Sequence, residues 1–259
     1  MQKQQRHNSL RSKAKQLVSI ACFLFLIFVF SSFSSLRVKT VKFNSLDGLE
    51  ITADEYIIDP FKPYVLLFHE QGSSRGEFNT IARRLCKMDY NCLAVDLRNG
   101  GNARFVSNET AKKFKESDLE SGIDDIELDV LAAINYAYEK SKLPVVLFGS
   151  GANGSLSLKV AVTNENVRAV VAMSPGEYFM PDLNIQDTIA NLQKPVFISS
   201  SKEEFPYVSE LASGLNDNYI TLFEPIQGPG DRGTASLSSD YKQNTEYWIA
   251  LILFFKELM

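Results

Sequence analysis

Histidine is the scarcest of the residues that do chemistry here: the 259-residue chain has two, His7 and His69. Cysteine follows with three, Cys22, Cys86 and Cys92. So few thiols exclude a disulfide-dense scaffold. No spacing of Cys, His, Asp or Glu reads as a metal site, and no cofactor is expected. Internal repeats, low-complexity stretches and internal linkers are missing as well. Forty-five per cent of residues are hydrophobic and 22% charged, the make-up of a globular protein with a full core. The length fits one domain of about 220 residues with an N-terminal appendage.

That appendage lacks acids altogether. Residues 1–16 form a basic tail with Lys3, Arg6, Arg11, Lys13 and Lys15, and no residue from Gln16 to Leu36 is charged. Residues 17–36 would make a hydrophobic helix of ~30 Å, about the thickness of a bilayer core. Two readings stay open. One is a signal anchor that keeps the basic flank in the cytoplasm and holds residues 37–259 on the extracytoplasmic side. The other is a signal peptide removed near Ser31–Ser35, releasing a secreted or periplasmic domain. The membrane is thus an expected partner through residues 17–36.

The remainder carries 22 basic residues against 31 acids, a net charge of −9. An acidic domain is a poor ligand for nucleic acid, and none is expected. Cys86 and Cys92 could pair in an oxidising compartment or stay as inert buried thiols.

Short apolar runs alternate with helical ones. Val38–Phe43 and Leu49–Ile58 read as a strand pair turning at Asp47-Gly48. Tyr64–Phe68, Cys92–Val95, Pro144–Phe148, Val167–Met173, Pro195–Ser199 and Tyr219–Phe223 read as further strands. Helical spacing covers Glu77–Met88, Ile123–Ser141, Ser155–Val162, Tyr207–Leu215 and about Tyr241 to Leu258. Residues 98–120 are polar and resist assignment. Alternating strands and helices predict an α/β domain with a mostly parallel central sheet and helices on both faces. His69, Asp96, Gly149–Ala152, Ser174, Lys202–Glu204 and Gln227–Gly233 all follow strands, so they are expected on one rim.

The segment Gly149-Ser150-Gly151-Ala152-Asn153-Gly154-Ser155 is the most informative. A buried strand runs through a tight glycine turn into a helix, the setting of the Gly-x-Ser-x-Gly nucleophile elbow. Gly151, at its centre, has no side chain. Gly149-x-Gly151-x-x-Gly154 also matches a dinucleotide fingerprint, but the next strand ends in Ser174-Pro175-Gly176 with no acid there. A phosphate-binding loop lacks its lysine.

Val65–Phe78, with His69-Glu70-Gln71-Gly72 after its strand, Leu93–Gly101 and Met173–Tyr178 complete a pattern. In that order the segments resemble the α/β-hydrolase fold, in its dienelactone-hydrolase-like branch, over roughly residues 38–258. The resemblance implies an esterase-like site and places its parts. The nucleophile position is Gly151. The histidine position, in Gly230-Asp231-Arg232-Gly233, holds Arg232, which stays protonated and cannot act as a base. Glu203 or Glu204 fits the acid. The oxyanion hole would be the amides of Ala152 and of Glu70 or Gln71.

A decayed catalytic site that binds a ligand or partner is the first expectation. With Gly151 and Arg232 facing it, the pocket is expected to be roomier and more positive than an esterase's, suiting an anionic small molecule. The alternative is an active hydrolase of ester-like substrates using Ser150 or Ser174 with His69. Against it, Ser150 is expected to point away from the site, Ser174 has no evident base, and His69 reads better as a residue that orients the oxyanion loop.

Overall fold

The computed structural model describes residues 35–119 and 122–259. The basic tail and nearly all of the hydrophobic segment lie outside them. Among the described residues no helix is long and apolar enough to cross a membrane.

Eight strands form one sheet. They are β1 (Arg37–Asn44), β2 (Glu50–Ile57), β3 (Tyr64–Phe68), β4 (Asn91–Val95), β7 (Val145–Ser150), β8 (Val167–Met173), β9 (Val196–Ser199) and β10 (Ile220–Phe223). Their order is β1-β2-β4-β3-β7-β8-β9-β10. All neighbours from β4 to β10 pair in parallel, while β1 and β2 are antiparallel additions at one edge. Gly48, with φ +89°, closes the turn that joins them. A continuous apolar run such as β3 is stable only where both faces are covered, and all five of its residues are buried.

The covering helices lie on both faces. Helices α3 (Ile123–Ser141), α4 (Ala152–Thr163), α5 (Ile185–Ile189) and α6 (Phe205–Ala212) pack on one side, through Val130, Ile134, Leu156, Ile189 and Leu211 against Leu66 and Leu147. Helices α1 (Asn79–Cys86) and α7 (Asn244–Glu257) take the other, through Ile81, Leu85, Trp248 and Leu251 against Leu67 and Phe148. Leu66 and Leu67 thus serve opposite cores, as the period of two in a strand requires.

The polar stretch after β4 folds into a small hairpin, β5 (Asn102–Ala103) with β6 (Val106–Ser107), and helix α2 (Glu109–Lys115). Its order comes from side-chain hydrogen bonds, which hydrophobic periodicity does not record. Asp96 accepts from the amides of Arg75 and Glu109, and Asn108 caps α2 by accepting from the Ala111 amide at 2.7 Å. Buried Arg98 donates to Asp129 and to Asp47, both at 2.7 Å. These bonds hold the chain between β4 and α2 under the rim. Cys86 and Cys92 are free, buried thiols.

Candidate active site

Strand β7 ends at Ser150 and α4 begins at Ala152, so a single residue makes the turn between them. Gly151 does so with φ +55° and ψ −127°, backbone that an L side chain adopts only under strain. The flanking glycines permit close packing of helix on strand. A Cβ on Gly149 would lie 2.4 Å from the Asn153 carbonyl oxygen, and one on Gly154 would lie 3.0 Å from the carbonyl of Gly149.

The space above Gly151 is filled. A Cβ built there would lie 2.0 Å from Oε1 of Glu70 and 2.5 Å from Oε2. The carboxylate therefore stands where a nucleophile's side chain would project. Two neighbours hold it. Ser150 Oγ donates to Oε2 at 3.1 Å, and Arg232 Nη2 approaches Oε1 at 3.4 Å. From below, the Glu70 backbone amide donates to Glu77 Oε2 at 3.1 Å, and Glu77 is itself bound by the Thr234 hydroxyl. Burial raises the Glu70 carboxyl above its usual range, against the opposing pull of the Arg232 charge and the Ser150 hydrogen bond.

Arg232 faces this group from the loop after β10. Its Nη2 donates to the Tyr178 hydroxyl at 3.0 Å, and the guanidinium lies over the Tyr178 ring, 5.7 Å from its centre. On the far side its Nε lies 3.8 Å from Glu204 Oε1. Glu204, at the start of α6, accepts from Ser174 Oγ at 2.8 Å and from Ser201 Oγ at 3.0 Å. Glu203 is exposed next to it. Of the two expected acids, Glu204 is the one that reaches Arg232 and Ser174.

His69 is fully buried beneath the rim. The Leu97 amide can only donate, so Nε2, 3.0 Å away, is the acceptor. Nδ1 then carries the proton and donates to the Glu70 carbonyl at 2.8 Å. Burial pushes the imidazole below its ordinary value and keeps it neutral. With both nitrogens engaged, His69 fixes the backbone of the loop that carries Glu70. Neither Ser150 nor Ser174 is among its ring partners.

One expectation needs correction. Ser150 does not point away from the site: it lines the pocket and bonds to Glu70, while its Oγ also accepts from the Thr234 amide at 3.3 Å. Gly233 packs against that hydroxyl, and a Cβ on it would lie 2.4 Å from Ser150 Oγ. The charges around the pocket nearly balance. A cavity of about 370 Å³ is lined by Glu70, Glu77 and Asp231 against Arg104 and Arg232, one acid in excess. Arg232 brings a cation, but Glu70 and Glu204 already meet it.

Ala152 is the first residue of α4, and the loop amide of Glu70 is spent on Glu77. Gln71 is exposed on the same loop. The residues that sequence reasoning passed over are Glu77, Tyr178 and Thr234, and the carboxylate of Glu70 as distinct from its amide. The one available signal was an acid set directly after the β3 strand end.

The family model for the dienelactone hydrolase family matches residues 54–221. No curated protein matches the chain. Among solved structures, an esterase from Pyrococcus furiosus superposes with a TM-score of 0.65 at 17% identity, covering 86% of this chain and 91% of that one. A dienelactone hydrolase from Anabaena variabilis gives 0.64 at 17%, covering 86% and 98%. The acylaminoacyl peptidase of Pyrococcus horikoshii gives 0.64 at 14%, covering 88% of this chain and 43% of its own. At such identities the likeness to each of these structures is one of fold.

Two outcomes follow from the geometry. Gly151→Ala is expected to cost about 1–3 kcal/mol in urea unfolding, from positive φ and displacement of Glu70. In a Glu70→Ala background the same change costs less, since only the backbone strain remains. Equal costs in both backgrounds would show that the carboxylate does not occupy this space. The second concerns pH. A raised carboxyl pKa means the folded state holds the proton more tightly, so this contribution is full below the unfolded pKa and is lost as pH rises through the folded one. Wild type should therefore lose stability relative to Glu70→Gln between pH 4 and pH 8; a constant difference would contradict it.

Proposed function

Since the chain belongs to the dienelactone hydrolase family, we propose that it is a non-catalytic member that acts by binding a small-molecule ligand or a partner at the former active site. The observation that carries this is the Glu70 carboxylate standing in the side-chain space of Gly151. An ester carbonyl must come within bonding distance of a nucleophile held at that point. Here the point offers a residue without a side chain, overlaid by a carboxylate that Arg232 and Ser150 hold in place. The group at the histidine position is a permanent cation and takes no proton from a hydroxyl. Loss of nucleophile and base together removes most of a triad's rate enhancement.

The ligand we favour carries a carboxylate and meets Arg232 from its solvent side. The Arg232 side chain is 53% exposed, so part of it remains open to solvent beyond the contacts to Glu70, Glu204 and Tyr178. A charge excess of one acid makes such binding weak and selective for ligands that reach that part. Isothermal titration with small carboxylates should give heats that Arg232→Gln abolishes. Heats unchanged in that variant, or none for wild type, would remove the anionic class. We further propose export, with residues 17–36 as membrane tether or cleaved signal.

A second reading is favoured by one observation: Ser150 Oγ donates to a carboxylate whose pKa is raised. In that reading Ser150 is the nucleophile, Glu70 takes its proton and the protein is an ester hydrolase. His69 has no free nitrogen to assist, and Ser174 is committed to Glu204 and to the Gly233 amide. A fluorophosphonate probe separates the two. The binding reading expects no covalent label, whereas labelling at Ser150 that is lost in Glu70→Gln would establish the hydrolase.

A further inference from the structure

The two buried thiols lie together. Cys86 is the last residue of α1, and Cys92 is the second residue of β4. Both belong to the core that α1 and α7 form with the sheet. Only Lys87–Asn91 separate them. The amides of Lys87, Met88 and Asp89 donate back to the carbonyls of Arg84, Leu85 and Cys86, and Asp89 turns the chain with φ +66°. Strand β4 therefore runs back beneath the helix that precedes it. One contact shows how closely. Cys92 Sγ donates to the Ala82 carbonyl oxygen at 3.6 Å. In an α-helix that oxygen also receives the amide four positions on, which here is that of Cys86. The sulfur of Cys92 and the backbone of Cys86 thus share one acceptor.

The two thiols differ in reactivity. Contact with Cys92, and after it the Arg83 charge, hold the Cys86 thiol below its ordinary value. Burial, and after it contact with Cys86, push Cys92 well above its own. Thiol–disulfide exchange is carried by the thiolate and needs access to it. Cys86 is 5% exposed at a helix end, whereas Cys92 is fully buried. Helix ends fray, so opening of the last turn of α1 frees Cys86. Cys92 stays in place meanwhile, because β4 is paired on both sides, with β2 and with β3.

We propose that Cys86 and Cys92 are a redox-active pair that closes to an intramolecular disulfide, with a low-molecular-weight disulfide such as oxidised glutathione as the oxidant. The Cys86 thiolate attacks one sulfur of the oxidant, whose S–S bond breaks, and one glutathione leaves as thiolate. Cys86 then carries a mixed disulfide. Cys92 gives its proton to the released thiolate and attacks the Cys86 sulfur. The second glutathione leaves as thiolate and takes up the proton that Cys86 had shed. Two protein thiols are oxidised and one disulfide is reduced to two thiols, so no other reactant is consumed. The closed pair pins the end of α1 to β4. With so few residues between the two cysteines the closed loop is small, and the gain in stability is modest.

The test uses the full chain in detergent with Cys22→Ser, so that Cys86 and Cys92 are its only thiols. The folded, reduced protein is incubated with oxidised glutathione, and its thiols are then titrated in denaturant. The titre should fall from two groups to none, and dithiothreitol should restore both. Tryptic digestion of the oxidised protein should yield Leu85–Lys87 linked to Met88–Arg98. Its urea midpoint should lie above that of the reduced form. Two further variants fix the order of attack: with Cys92→Ser, Cys86 should carry one glutathione, and with Cys86→Ser, Cys92 should stay unmodified. Thiols that remain free in the folded protein overturn the proposal, as does glutathione held on Cys86 without closure. Linkage that forms only in unfolded protein, or that lowers the urea midpoint, overturns it equally. Glutathione on Cys92 in the Cys86→Ser chain contradicts the assigned attack and overturns it too.

Discussion

Two groups cannot fill the same space, and at the turn between β7 and α4 the space belongs to Glu70. Its carboxylate approaches to 2.0 Å from where a β-carbon on Gly151 would stand. Everything else at the rim is arranged around that placement. His69 fixes the loop backbone through the Glu70 carbonyl, Glu77 binds its amide, and Ser150 and Arg232 grip its oxygens. A negative charge half withdrawn from water needs such partners. Arg232, which forfeits base catalysis, is one of them.

Gly151 and Arg232 therefore both bear on Glu70. A serine at residue 151 would require the Glu70 side chain to swing aside, and a neutral histidine at residue 232 would leave that carboxylate without its cation. The same constraint accounts for the small excess of acid in the pocket, since Arg232 is spent largely on internal charge. The rim is a closed electrostatic network with part of the Arg232 side chain open to solvent.

Much of this was legible in the sequence. The fold was, because buried parallel strands such as Tyr64–Phe68 and Val167–Met173 are continuous apolar runs, and α3 was readable from Ile126, Val130 and Ile134 at a spacing of four. Gly151 and Arg232 could be placed because the turn and the last loop are local patterns. The hairpin and helix between residues 102 and 115 could not, since their order rests on Asp96, Asn108 and Arg98 bonding across the chain. Helix α5, a little over one turn long, leaves too few residues for a periodic signal. Glu70 was visible as a loop amide, but nothing in one dimension says that its side chain turns back over Gly151. Ser150 was misjudged for a related reason: its partners, Glu70 and the Thr234 amide, come from loops far along the chain.

On the proposed reading, an intact scaffold has lost its chemistry through the occupied turn and the cation of Arg232. Hydrolysis of a short-chain p-nitrophenyl ester tests it most directly, comparing wild type with the Glu70→Ala, Gly151→Ser, Arg232→His triple variant. The account predicts a background rate for wild type and measurable turnover for the triple variant, with burst kinetics from an acyl-serine. Turnover by the unaltered chain, abolished by Ser150→Ala, would contradict it.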